Sequence, residues 1–548
     1  MESPLRSALW RRAPPPVRQR IVAAKSSRGW RAFLNLADCV RVDTRSLAVF
    51  RIVVALLILA DLLLRSRNFS FYYTDDGVVP QSLAMVHAGE NAFSVYYWTS
   101  DPTLIAALFV VQALFAIQLL VGYKTRIAMA VSFLLVVSLD HHNPLVLSYA
   151  DTLFRLLLFW AIFLPLGERW SIDALHRDRA PRWTFVGAAS ALALAQMVTM
   201  YAQNGYHKYN DDSELWQSGG ATPKIFGLDE MTFLLGDYFR HIPTMLEYGG
   251  LTWYYMLIAS PLLILLWGRP RMLLTFMFVG GHASFALTVR IGAFAYVAIA
   301  GLILFLQPQF WRDAATLVRA ANLQDHVETA GNGVERVGRR IASVLPSVVF
   351  DSSRQQLARA IGYKAAIVIV AGSMVLLTLS AGVQFAGVAD DSVGPTDEIQ
   401  EYQDRFGVEQ PEWSIFAPTP RTTDRYYVFP ARTADGEMYD VFNDRELTYD
   451  RPYDELQKQH DAYRERFYMN SIRRAGDDGA APEYLVEHIC ETWADERGVE
   501  LTQVNVYEVI ERIDRDSIDD PDERERHYFL RSMHGCDGHE PEDFAPPD

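Results

Sequence analysis

Cysteine is scarce in this chain, three residues in 548: Cys39, Cys490 and Cys536. That excludes a disulfide framework and any multi-cysteine zinc or iron–sulfur site, and leaves room for one bridge, between Cys490 and Cys536. Charge is scarce as well: Asp, Glu, Lys and Arg make up 21% of the chain and hydrophobic residues 50%. No G-x-S-x-G elbow supports a nucleophilic serine. "VGGHAS" at 279–284 lacks the Lys-Ser/Thr ending of a phosphate-binding loop. His141 and His142 are adjacent, so on a helix they diverge by about 100°, and no H-E-x-x-H spacing accompanies them. No metal is expected, and there is no internal repeat.

What the chain has instead is long apolar blocks, the pattern of membrane spans rather than of one soluble core. Runs of span length lie near 45–65, 103–123, 125–140, 151–167, 183–204, 250–267, 271–289, 291–307 and 365–388. The expected fold is therefore an α-helical polytopic membrane protein of about nine transmembrane helices with a C-terminal exterior α+β domain. Residues 1–42 form a basic arm without an apolar core and cleavage site, which reads as cytoplasmic. The positive-inside rule agrees: "GYKTR" (122–126), "RDRAPR" (177–182), "GRPR" (268–271) and the basic linker 311–364 fall on one side. The expected location is the cell membrane, multi-pass, with the N-terminus cytoplasmic and the C-terminal domain exterior.

Charge divides the chain in the same place. Residues 389–548 hold 41 acidic and 17 basic residues, a balance of −24, whereas the first 388 carry +9. That describes a basic membrane part, a last span at 365–388 and an acidic exterior domain over 389–536, with nothing like a nucleic-acid-binding face. In this domain "DRYYVFPARTADGEMYDVFN" (424–443) alternates around a D-G turn, as a hairpin does. Residues 452–470 and 482–498 read as helices and 501–513 as a strand, and the acidic tail 537–548 as disordered.

Charges inside spans are costly and face a bundle interior. Arg51, Asp61, Asp151, Arg155, His282 and Arg290 are such groups, and Asp140, His141, His142, His207 and Lys208 sit at the outer rim. Asp151 and Arg155, four apart, suit a structural ion pair. For His141 and His142 the plainer reading is a rim histidine bonded to a backbone carbonyl, and for Lys208 a lysine that snorkels to water. The setting of Lys208 argues against snorkelling: "GYHKYNDDSELW" (205–216) and Gly219–Gly220 place Tyr206, Tyr209 and Trp216 around it. Desolvation in such a cap lowers a lysine's pKa and leaves neutral amine that acts as a base.

The stretches "DTRSLAVFRI" (43–52), "YYTDDGVVP" (72–80), "HHNPLVLSYADTLFRLLLFWAIFLPLGERWSIDAL" (141–175), "KYNDDSELWQSGGA" (208–221) and "GHASFALTVRIGAFAYV" (281–297) together resemble the HTTM membrane domain over about 43–310. This is the family that includes vitamin K-dependent gamma-carboxylase. The resemblance continues into "QPEWSIFAPTPRTTDRYYVF" (410–429), similar to the Trp-containing start of the family's exterior domain. It implies that Lys208 is the base that deprotonates reduced vitamin K, here menaquinol. Oxygen then converts the hydroquinone to an epoxide and yields a strong base, which takes a γ-proton from a peptide glutamate before carbon dioxide adds. It also implies that His142 or His141 assists, and that His282, Trp216 and Tyr206 line the quinol site. Trp413 and Arg421 are the implied substrate-binding residues.

Two departures matter: Trp413 is followed by "SIFAPTPR", with no histidine where the family has one, and the spacing from Lys208 to Trp216 leaves His207 as an alternative base. Carboxylation, hydroquinone epoxidation without it, and a non-catalytic membrane scaffold or exporter component all remain open. The implied partners are membrane lipid, an isoprenoid quinone and an exterior protein or peptide, not nucleic acid.

Overall fold

The computed structural model describes residues 37–347, 353–385, 396–476, 479–514 and 517–546. Most of the expected arm 1–42 and the start of the exterior domain lie outside the described residues. Every expected span falls on helix: α1 (Thr44–Arg65), α2 (Pro102–Val121), α3 (Thr125–His142), α4 (Tyr149–Ala161), α5 (Ala188–Tyr209), α6 (Pro243–Ile258), α7 (Arg269–Thr288), α8 (Phe294–Leu302) and, beyond α9 (Pro308–Ala320) and α10 (Gln324–Val344), α11 (Ser353–Phe385).

Nine crossings do not follow from this. Among the described residues two helices are long and apolar enough to cross a membrane, Thr44–Tyr73 and Pro102–Val121. A third counts only if Phe294–Phe305 and Pro308–Ala320, bent by 98°, are one span. Among the rest, α4 has 13 residues and carries Asp151 and Arg155, α5 carries Gln196, Asn204, His207 and Lys208, and α11 is apolar over Ala360–Met374 of its described residues. The basic stretch 311–364 is not a loose linker, since α9, α10 and the start of α11 occupy most of it.

The C-terminal domain is built on β5 (Leu501–Arg512), the expected strand. Along one edge β1 (Thr423–Val428) and β2 (Pro430–Thr433) pair with it end to end, and β6 (Arg526–Gly535), which the sequence pattern did not announce, pairs along the other. All three pairings are antiparallel. β2 turns into β3 (Met438–Asp440) through Asp435-Gly436, with Gly436 at φ +87°, so the D-G turn is real; β4 (Arg445–Glu446) completes the sheet. After α12 (Thr396–Arg405), the domain's main helices are α13 (Tyr463–Ala475), shorter than the expected 452–470, and α14 (Ala480–Arg497). Cys490 of α14 is bonded to Cys536 after β6, Cα atoms 5.9 Å apart, and Cys39 is free and buried.

The tail is not disordered over its described part. The backbone carbonyl of Glu542 accepts from Gln503 Nε2 (2.6 Å) and Asn505 Nδ2 (2.9 Å), and the Phe544 carbonyl accepts from the Tyr449 hydroxyl. Acidic composition pointed to disorder, but these bonds fasten the tail to side chains of the central strand β5 and to Tyr449.

Ion pairs seat this domain on the helices. Asp151 and Arg155 do not pair with each other, as their spacing suggested. Asp151 caps α4 by accepting from Ser148 and meets Arg464 of α13 at 2.8 Å, while Arg155 meets Asp140 at 2.9 Å and donates to the Gly407 carbonyl. Arg464 also meets Asp61 (2.5 Å), and Arg65 meets Asp61 and Asp140. The i,i+4 geometry lost because better-placed partners arrive from other elements.

Candidate functional site

One face of α5 sets the site. Tyr201, Asn204 and Lys208, spaced three and four apart, lie on one side of the helix and line a cavity of about 300 Å³ beneath the C-terminal domain. Lys208 stands in the last turn, beyond the apolar stretch 183–204, and is 1% exposed. Its Nζ donates to the carbonyls of Ile415 (2.6 Å) and Phe416 (3.3 Å) and lies 4.0 Å from the centre of the Trp216 ring. Trp216 is fixed in turn by Nε1 donating to the Pro418 carbonyl at 2.9 Å.

No carboxylate pairs with the Lys208 ammonium within 4 Å among the described residues; Asp211, the nearby acid, is occupied with Ser213 and Thr419. Burial therefore pushes the amine well below the usual lysine range, with Asp211 opposing only in part. A neutral amine keeps two N–H groups for the two carbonyls and has one lone pair left over. That is the requirement for a base.

The carbonyls come from a loop held under strain. Trp413 and Phe416 both sit at positive φ (52° and 51°), which side-chain-bearing residues rarely adopt. Asn204 Nδ2 holds the loop down by donating to the carbonyls of Trp413 (2.8 Å) and Ile415 (2.9 Å), and the Gln196–Gln410 amide pair secures its start. The loop belongs to the C-terminal domain, so the Lys208 site is complete only with that domain docked.

Across the cavity, the Tyr201 hydroxyl and His282 Nε2 share a hydrogen bond of 2.8 Å, and His282 Nδ1 is buried without a partner among the described residues. Aromatic rings of Trp253, Phe285 and Phe294 surround His282 at 5.2–6.0 Å. The exterior wall carries Arg290, Tyr463, Arg466 and Phe467. Gly292 (φ +59°) makes room for Tyr463, whose ring is 2.0 Å from where a Cβ would stand. The space is thus aromatic on its walls with a few convergent polar groups, the usual composition of a small-molecule site.

Of the residues singled out from the sequence, Lys208, Trp216, His282 and Arg290 come together here. His207 does not line the cavity: its Nε2 donates to the Glu412 carbonyl at 2.8 Å. Tyr206 is exposed. Trp413 is fully buried, its Nε1 donating to Gln410, and presents its backbone rather than its ring to α5. Arg421 is taken up by Glu230. His142 and His141 lie in a different cluster. His142 stacks between Tyr73 and Tyr96 with Nε2 donating to the Tyr73 carbonyl, and His141 Nδ1 donates to the Phe93 carbonyl at 2.9 Å. Tyr201, Asn204, Tyr463 and Arg466 were not singled out. The 201–204–208 spacing on a helix is the signal that reaches the first two; nothing local marks Tyr463 and Arg466.

Residues 40–311 match the family model of the HTTM domain. That part of the chain is an HTTM domain, a domain found in vitamin K-dependent carboxylase-like proteins. No curated protein and no solved structure matches the chain.

Proposed function

We propose that this protein is a membrane enzyme of the vitamin K-dependent carboxylase type, which oxidises a membrane hydroquinone with oxygen at the Lys208 cavity and carboxylates an exterior glutamyl side chain. The observation that carries the reading is the convergence of Lys208, Trp216 and His282 on one aromatic cavity. The cavity suits the ring system of a menaquinol. Its volume falls at the lower end of ligand pockets, its walls are aromatic, and His282 Nδ1 offers an unused hydrogen-bonding atom.

Lys208, desolvated and without a carboxylate partner, takes a phenolic proton. Tyr201 fixes the His282 ring through Nε2, and the aromatic walls keep water out. The hydroquinone supplies the reducing electrons: hydroquinone and O2 give epoxide and water, and the glutamyl C–H is exchanged for C–CO2⁻ with release of a proton. Trp413 and Arg421, the residues the family resemblance assigns to the peptide, are occupied elsewhere, and this favours as second reading an epoxidase without carboxylation. Sidedness belongs to the same proposal: the domain after residue 389 is exterior, and a topology reporter inserted after Gly436, in the β2–β3 turn, reads exterior.

The test is to supply purified protein with reduced menaquinone and O2 and look for quinone epoxide, then to add a glutamate peptide and labelled bicarbonate. Epoxide with label fixed in the peptide supports the full reaction, and epoxide alone supports the second reading. No epoxide from well-folded protein rejects both in favour of a scaffold.

A further inference from the structure

Helix α10 carries an apolar face that the described chain leaves largely uncovered. Val327, Val334, Val337, Ile341 and Val344 lie within about 100° of one another around the helix, and they are 38–82% exposed. The opposite side is polar, with Asp325, Glu328, Asn332 and Glu335. A third strip is in use: Gly338 lies against Leu175, the Ala342 carbonyl accepts from His176 Nε2 at 2.9 Å, and the Pro346 carbonyl just beyond the helix accepts from the Tyr123 hydroxyl at 3.1 Å. The valine face is therefore fixed in place beside the bundle. A row of exposed valines on a fixed helix is a contact surface rather than scattered surface hydrophobicity.

The position of α10 shows what covers it. The short strand pair Val42–Asp43 and Thr184–Phe185 marks the end of the bundle where α1 and α5 begin, and Lys208 stands at the other end of α5. α9 starts at the strand-pair end, where Trp311 Nε1 donates to Ser46 Oγ at 3.0 Å, and it is bent by 98° from Phe294–Phe305. A chain that leaves an apolar helix of the bundle at a right angle runs along a membrane surface, not away from it. Asn322, at φ +55°, turns α9 into α10, and the contacts to Tyr123 and His176 return α10 to the same end of the bundle.

Basic residues gather there as well. Arg336 and Arg340 follow Val344 around the helix and flank the valine face, with no carboxylate within 4 Å among the described residues; Arg339 is paired with Glu335 at 2.6 Å. The two docking loops, "GYKTR" (122–126) and "RDRAPR" (177–182), add more positive charge. An apolar face edged by arginines that snorkel is the composition of a helix lying in a bilayer interface. The seven-residue steps 327–334–341 and 337–344 would also suit a second helix. The flanking positions of such a pair are Gly331, Gly333 and Gly338, which offer none of the charges that select a partner helix.

We propose that α10 is an interfacial helix that docks on an anionic lipid surface at the end of the bundle remote from Lys208, its valine face among the acyl chains and Arg336 and Arg340 on the headgroup phosphates.

The test is the accessibility of nitroxide labels on the full chain in nanodiscs, in a Cys39→Ser background, with one label at Val334→Cys on the apolar face and one at Asn332→Cys on the polar face. In discs containing phosphatidylglycerol, the label at 334 is expected to collide about tenfold less with a water-soluble nickel complex than the label at 332, as burial some 5–10 Å below the headgroups requires. In discs of phosphatidylcholine alone, or with Arg336→Gln and Arg340→Gln in the anionic discs, this shielding falls by about fivefold, the worth of one arginine at an anionic surface. Elution of the labelled variants as wild type keeps misfolding out of the result. Equal nickel access at 332 and 334 overturns the proposal, and so does shielding that is the same in both lipids and in the double variant. Dipolar broadening at 334 that disappears on dilution with unlabelled protein overturns it too, because a second copy of the chain then covers the face.

Discussion

The Lys208 ammonium lies 4.0 Å from the centre of the Trp216 ring, and the two halves of its environment oppose each other. Burial favours the neutral amine, and the ring face and two carbonyls favour the cation. Trp216→Leu removes a cation–π contribution of about 1–2 kcal/mol, which lowers the lysine pKa further, by about one unit. A base works once neutral, so the rise of hydroquinone oxidation with pH shifts to lower pH in the variant. The pH–rate profile of epoxide formation measures this. A limb that stays in place or moves upward means Trp216 does not set the charge state of Lys208.

Replacing the lysine itself separates chemistry from scaffold. Lys208→Ala loses about a hundredfold or more of the oxidation rate, the usual worth of a positioned base. Lys208→Arg recovers none of it, because guanidinium stays protonated at any usable pH. His142→Ala costs less, since His142 packs between Tyr73 and Tyr96 away from the cavity. Detergent-extracted protein of unchanged yield and size is the control. Full activity in both Lys208 variants would return the base to an open question, with His207 next in line.

The cavity was partly legible in the sequence and its closure was not. Lys208, Trp216 and His282 could be found because each is an unusual residue for its place: a lysine at a span end, a Trp beyond an acidic run, a histidine in an apolar helix. Their meeting could not be read, because the chain between Trp216 and His282 contains a helix break and a loop whose path no local pattern fixes. The carbonyls on Lys208 come from Ile415 and Phe416, 207 and 208 residues away, and their residue types carry no signal at all, since a backbone carbonyl is the same in every residue. Asp151 and Arg155 teach the same point from the other direction. Sequence spacing named the most local partner for each, and long-range partners with better geometry displaced it.

The charge seam between domain and helices offers a stability test. Arg464 closes onto Asp61 at 2.5 Å and Asp151 at 2.8 Å, joining α13 to α1 and α4. Arg464→Met leaves the buried Asp151 and the half-buried Asp61 with one partner fewer, and removing one member of a buried pair costs at most about 3–5 kcal/mol. The expected result is a lowered unfolding temperature and faster proteolysis of the C-terminal domain, seen by limited digestion of the intact protein. Adding Asp61→Asn and Asp151→Asn to that variant should recover part of the loss, because uncharged side chains no longer need the guanidinium. If the triple variant is less stable than Arg464→Met, the seam is not held by charge.

Glu465 supplies the last test, because its charge state changes near neutral pH. Burial raises its carboxyl to about 7, with the Asp461 backbone N–H, which it accepts at 2.7 Å, pulling the other way. An unfolded glutamate titrates near 4.3, so the folded protein binds this proton more tightly. The stabilisation is complete below about pH 4 and is lost as pH climbs through about 7. Glu465→Gln keeps an acceptor for Asp461 but never ionises. It should match wild type near pH 4 and melt a few degrees higher by pH 8, on the order of 1–3 °C for a kcal/mol-scale term in a chain of this size. Melting curves of the two proteins across that range give the answer. A difference that is constant with pH would mean that Glu465 keeps an ordinary carboxyl, and that the exterior wall beside Arg290 is already ionised throughout the physiological range.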